Sequence, residues 1–147
     1  MKIFFYLMPV FIGVAMTIQS GINAQLHSGL HHPVLSAFIS FLGGLLVLSI
    51  LLIIMRQPLP GANAFGQLKW YHYTGGLFGA FIVYAVLVSV HRIGAANMFV
   101  LIVGGQLITA VIMDHFGMLG MKESPVTTQK LLGILLVIAG AWLVNKK

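Results

Sequence analysis

Pro33-Val-Leu-Ser-Ala-Phe-Ile-Ser-Phe-Leu-Gly-Gly-Leu-Leu-Val-Leu-Ser-Ile-Leu-Leu-Ile-Ile-Met55 contains no Asp, Glu, Lys, Arg or His. As an α-helix rising about 1.5 Å per residue, it is long enough to cross the roughly 30 Å hydrocarbon core of a bilayer. The stretch is continuously apolar and lacks the in-and-out alternation over about ten residues that marks a barrel strand, so it reads as a membrane helix. Pro33 suits the first turn of such a helix, where its missing N–H would have no partner anyway.

The absence of charge extends outward from this segment. Residues 3–55 form a run of 53 without Asp, Glu, Lys or Arg, room for two spans of about 20 residues each. The divider is Gln25-Leu-His-Ser-Gly-Leu-His-His-Pro33, where three histidines, a glycine and a proline interrupt the apolar pattern. The first span is therefore expected at about 3–24 and the second at 33–55. Beyond Met55, Arg56-Gln-Pro-Leu-Pro-Gly-Ala-Asn-Ala-Phe-Gly-Gln-Leu-Lys69 reads as the longest loop, and Trp70 and Tyr71 stand where an aromatic belt would. Lys69 and Arg92 enclose 22 uncharged residues, and Arg92 and Asp114 enclose 21. These are the third and fourth spans, at about 71–91 and 94–114. The fifth, at about 127–145, has only 15 residues between Lys130 and Lys146, and Lys130 can lengthen it by extending its ammonium to the headgroups. The expected fold is all-α integral membrane, one five-helix domain over residues 1–147.

Composition points the same way. The chain is 59% hydrophobic and 7% charged, against about one quarter charged in a soluble domain. It has no cysteine, which excludes a disulfide framework and thiolate metal sites. The formal charge of +6 is spread singly along the chain and makes no basic patch for nucleic acid. Lys2 before an apolar run could open a signal peptide, with Ile22-Asn23-Ala24 as a weak cleavage site. The run is longer than a usual signal core and everything downstream is membranous, so the first span is expected to be retained. Five crossings put Lys2, Arg56, Lys69, Lys122 and Lys130 on one side and Arg92, Lys146 and Lys147 on the other. That bias of five against three favours a cytoplasmic N-terminus only slightly and makes insertion in both orientations physically reasonable.

Several short motifs stand in a characteristic order: Gln19-Ser-Gly-Ile-Asn23, Trp70 before Gly75-Gly-Leu-Phe-Gly79, Gly94-Ala-Ala96, Gly105-Gln106 and Asp114-His-Phe-Gly117. In this the chain resembles the YdcZ family (domain of unknown function 606) of the drug/metabolite transporter superfamily, essentially over its whole length. The resemblance implies an inner-membrane, multi-pass unit that is half of a ten-helix inverted-repeat transporter. It would be completed by pairing with an oppositely oriented second copy or a paralogue.

Polar residues inside the spans carry the readable function. Gln19 and Asn23 are four apart and share one face of the first span, where each amide offers donors and acceptors to a neighbouring helix or to a solute. Gln106 is mid-span beside Gly104 and Gly105, which allow close approach of a backbone or substrate. All three read equally as interhelical hydrogen bonds or as a solute pathway. Ser36 and Ser40 lie on one stripe with Gly43 and Gly44, suited to packing or to lining a cavity, and Tyr84 could stack on a solute or sit as a core tyrosine. Gly75 with Gly79, and Gly76 with Ala80, form small-xxx-small pairs for helix packing. Asp114 and His115 could relay protons, or Asp114 could fix a loop near Lys122 or Lys130.

Other chemistry is missing. No charged residue stands near a span's midplane, so a charge-swap antiport mechanism has no candidate. There is no Gly-Lys-Ser/Thr phosphate loop and no nucleophile–base set, which argues against an enzyme. His27, His31 and His32 lie in a short segment without a carboxylate, so no metal or other cofactor is expected. The reading is a small-solute transporter, an antiparallel dimer whose polar cavity is lined by Gln19, Asn23, Ser40, Tyr84 and Gln106. Its partners would be the bilayer and the solute. The alternatives are a dual-topology channel for a small ion and an accessory membrane subunit.

Overall fold

The computed structural model describes residues 2–56 and 58–146. Met1, Gln57 and Lys147, the last of these one of the charges counted above, lie outside the described residues. Every regular element among the described residues is helical: α1 (Lys2–Leu30), α2 (Pro33–Met55), α3 (Ala62–Gly66), α4 (Gly75–Ile93), α5 (Ala95–His115) and α6 (Thr128–Asn145). Tight helical turns at Trp70–Tyr73 and Met118–Gly120 complete the set. Five stretches are long and apolar enough to cross a membrane: Leu7–Leu30, Pro33–Met55, Trp70–Ile93, Ala95–His115 and Thr128–Asn145.

One boundary differs from expectation. α1 does not stop at Ala24 but continues to Leu30. The polar residues of the divider are tolerated in a helix; only Pro33 imposes a break, because its ring forces the residue before it into extended backbone. His32 accordingly has φ −141° and ψ 97°, and His31 takes up the turn in the left-handed region at φ 52°. His32 also starts α2. Its Nδ1 accepts the backbone N–H of Leu35 at 3.1 Å, one of the orphan donors of the first turn. At the other end Arg56, at φ 47°, closes α2 in left-handed geometry. The loop expected between Arg56 and Lys69 contains the one-turn helix α3.

The chain forms two compact units, residues 1–89 and 90–147. In the first, α1 lies along α2, and the side chains buried on the two helices are small: Ser20, Asn23 and Ala24 on α1, Ser36 and Ala37 on α2. Without a hydrophobic drive between helices in lipid, close approach through small residues is what holds such pairs. α4 approaches α2 through Gly79, where an added Cβ would stand 3.3 Å from Cζ of Phe41. In the second unit α5 lies along α6. Met98 and Val111 are buried on α5 and Ala141 on α6, and a Cβ on Gly104 would meet Cγ1 of Val137 at 3.9 Å.

Little of each span is covered. The most apolar 18-residue stretch of α2 has a mean hydropathy of 2.8 with 0% of it buried, and the most covered such stretch, in α1, reaches 17%. A helix apolar on all sides and bare to its surroundings belongs in hydrocarbon.

Gly79→Leu should therefore destabilise the single chain, because the new side chain must displace the Phe41 ring; overpacking of this kind costs about 1–3 kcal/mol. Gly75→Leu, where a Cβ meets nothing within 4 Å, should stay within about 0.5 kcal/mol of wild type. Reversible unfolding in mixed micelles measures both, and equal stability of the two variants would mean that the Gly79–Phe41 contact holds nothing.

Candidate functional site

Gln19 and Asn23 fall on one side of α1, four residues apart, and α2 brings Ser40 and Gly43 to the same place. Between the two helices is an open-sided groove of about 540 Å³. Its polar groups are the side chains of Gln19, Asn23 and Ser40, and its apolar wall is Ala15, Ile18, Ile22, Leu26, Ile39 and Gly43. No ionisable or aromatic side chain lines it. Its volume falls in the range of small-molecule sites, about 300–1,000 Å³, but in the single chain it is an open trough and not an enclosed cavity.

Hydrogen bonding divides the polar side chains of the spans into two groups. Thr17 donates to the Gly13 carbonyl at 3.0 Å, Ser36 to His32 at 3.0 Å and Ser49 to Leu45 at 2.8 Å. Asn97 donates to Ile93 at 2.9 Å and Asn145 to Ala141 at 2.8 Å. Each of these side chains is satisfied by the carbonyl one turn back. Gln19, Ser20, Asn23 and Ser40 make no hydrogen bond of this or any other kind among the described residues. Asn23 is only 6% exposed and Ser20 7%, and the Ser20 hydroxyl oxygen is buried without a partner. The Asn23 amide keeps its polar atoms accessible, with two donors and two acceptor sites left open to the groove. Ser20 is absent from the sequence-derived set, although its place three residues before Asn23 puts it on the same helical stripe.

The other expected site residues stand elsewhere. Gln106 is mid-span on α5, in the second unit, exposed on the single chain with Thr109 one turn away on the same side. Neither makes a hydrogen bond among the described residues. Tyr84, on α4, is 42% exposed. Gly75, Gly76 and Gly105 face open space, whereas Gly79 and Gly104 meet neighbouring side chains.

Asp114 and His115 end α5 and organise the loop that follows. The Asp114 carbonyl accepts from the N–H groups of Ser124 at 2.8 Å and Gly117 at 3.4 Å, and His115 Nδ1 accepts from Val126 at 3.4 Å. Gly117 has φ +57°, and a Cβ there would lie 2.7 Å from Cγ of Glu123, so both backbone and space require glycine. The Asp114 carboxylate makes no ion pair with Lys122 or Lys130 among the described residues. Lys130 is occupied: its ammonium donates to Ser124 Oγ at 2.8 Å, to the Ser124 carbonyl at 3.0 Å and to the Pro125 carbonyl at 3.2 Å. Three donors find three acceptors. The loop is thus fixed by Lys130 and by the Asp114 backbone carbonyl.

Five bare apolar helices are those of a multi-pass membrane protein, and the family match gives the class, an inner-membrane transporter. Residues 4–143 match the family described as "Putative inner membrane exporter, YdcZ", and the chain belongs to that family. No curated protein and no solved structure matched the chain.

Lys130→Met keeps the aliphatic length but removes all three donors, and a hydrogen bond to a charged group contributes about 1.5–3 kcal/mol net of its exchange with water, less where it is partly exposed. Amide hydrogen exchange at Ser124 and Val126 should accelerate roughly tenfold, the equivalent of about 1.4 kcal/mol, with exchange inside α5 and α6 unchanged. Unaltered exchange at Ser124 would show that the loop does not depend on the ammonium.

Proposed function

We propose that the chain exports a small solute as one half of a ten-helix carrier, completed by a second copy or paralogue inserted in the opposite orientation. A polar cavity between the halves would receive Gln19, Asn23, Ser40, Tyr84 and Gln106. The observation that carries this reading is the exposure, at mid-span, of carboxamides without hydrogen-bond partners in the single chain, Gln19 on α1 and Gln106 on α5. In hydrocarbon each such group costs several kcal/mol, so each needs either water or a partner. A wet cavity shared with a second half supplies both. The small excess of positive charge on one side, five against three, supports insertion either way round.

In this reading, Gly79 against Phe41 and Gly104 against Val137 are close contacts about which helices rock as the cavity changes sides. Proton exchange with the cycle would fall to Asp114 and His115, beside the end of the α5 span.

Labelling of a C-terminal tag from each face of the membrane should find accessible tag on both faces, or on one face when an oppositely oriented paralogue is co-purified. Accessibility on one face alone, with no second protein, would exclude the antiparallel pair. Saturable flux stimulated by solute on the far side identifies a carrier, flux that does not saturate a channel, and no flux an accessory subunit.

Asn23→Leu and Gln106→Leu separate pathway from scaffold. As pathway residues they should lose at least about 90% of flux with dimer stability held; as interhelical partners they should weaken assembly first, by about 0.6–1.7 kcal/mol. Dimer dissociation and flux measured on the same purified variants decide between them, and wild-type values of both would remove these residues from the pathway.

A further inference from the structure

We infer that the groove between α1 and α2 takes an uncharged, largely apolar solute that presents a hydrogen-bond donor beside an acceptor. This rests on the export reading and names its substrate class.

Three observations converge. The first is the absence of countercharge. No Asp, Glu, Lys or Arg occurs between Lys2 and Arg56, and none lines the groove. An ion held at this depth would have no partner, and an isolated charge in a medium of low dielectric is strongly disfavoured. The second is that no residue lining the α1–α2 groove is aromatic; Tyr84 of the proposed cavity stands on α4 outside this lining, so the groove wall itself offers an organic cation no ring face. The third is the Asn23 side chain. It is more than nine-tenths buried, lines the groove and has no partner among the described residues. A carboxamide carries an N–H donor and a carbonyl acceptor side by side, and the group that satisfies both at once is another amide, a urea or a protonated acid.

Gln19 one turn earlier and Ser40 across the groove offer further neutral donors and acceptors. Ile18, Ile22, Leu26 and Ile39 would cover the apolar remainder of the solute. Serine in a helix readily bonds to the carbonyl one turn back, as Ser36 and Ser49 do. Ser40 does not, and its hydroxyl remains available.

The chain has no cysteine, so Ser40→Cys places one near-isosteric thiol in the groove. The full chain carrying it, in proteoliposomes, would be alkylated with N-ethylmaleimide alone and then with added benzamide or chloramphenicol, both uncharged amides, with tetraphenylphosphonium, or with benzoate. The expected result is alkylation without solute, slowed about tenfold by the uncharged amides and less than about twofold by the cation or the anion. Adding Asn23→Leu should abolish the protection and Asn23→Gln should restore part of it, with helix content by circular dichroism held as the control for folding. Equal protection by tetraphenylphosphonium or benzoate overturns the assignment. So does a thiol that none of the solutes protects, or one that never reacts because acyl chains or a neighbouring helix fill the groove. Counterflow of the same solutes is read in parallel. Protection by amides without counterflow keeps the solute class and removes the export reading, whereas counterflow of the cation alone keeps export and removes the class.

Discussion

The bilayer interior offers no water, and every feature of this chain answers to that. Backbone N–H and C=O groups must be paired within the chain, which restricts spanning segments to helices or closed barrels. The continuous apolar runs select helices. The same constraint governs side chains: Thr17, Ser36, Ser49, Asn97 and Asn145 bond back to their own helix and can then lie against lipid or packed helix at little cost. Against that background, the side chains of Gln19, Asn23 and Ser40 in the groove, and of Gln106 and Thr109 on α5, do not bond back among the described residues and mark places where something else must meet them.

The constraint also explains how much could be read in advance. Five spans are legible because charges are so few that Lys69, Arg92 and Asp114 delimit segments of bilayer length. α2 begins at Pro33 because proline is the one residue there with a rigid stereochemical demand. The end of α1 was not legible. Polarity in Gln25–His31 resembles a loop, yet polar residues continue a helix freely where it leaves the hydrocarbon. The geometry that stops α1 belongs to two residues, His31 and His32.

The site is legible to a similar depth. Helical periodicity places Gln19 and Asn23 on one face, and the groove contains both with Ser40. Gln106 stands on the second unit, because mid-span depth is set by position along the chain whereas shared lining is set by which faces meet. The role of Lys130 was beyond pattern reading. Its ammonium bonds to atoms of Ser124 and Pro125, two of them backbone carbonyls that no residue pattern labels.

The helices are also of very unequal length. α1 has 29 residues and α6 has 18, which at about 1.5 Å per residue are roughly 43 Å and 27 Å. A hydrocarbon layer of about 30 Å takes about 17–25 residues of helix, so α6 has little length to spare while α1 reaches beyond it or leans over, each ångström of hydrophobic mismatch costing a fraction of a kcal/mol. Bilayer thickness is thus a condition the two helices meet differently, α1 with length in excess and α6 with almost none.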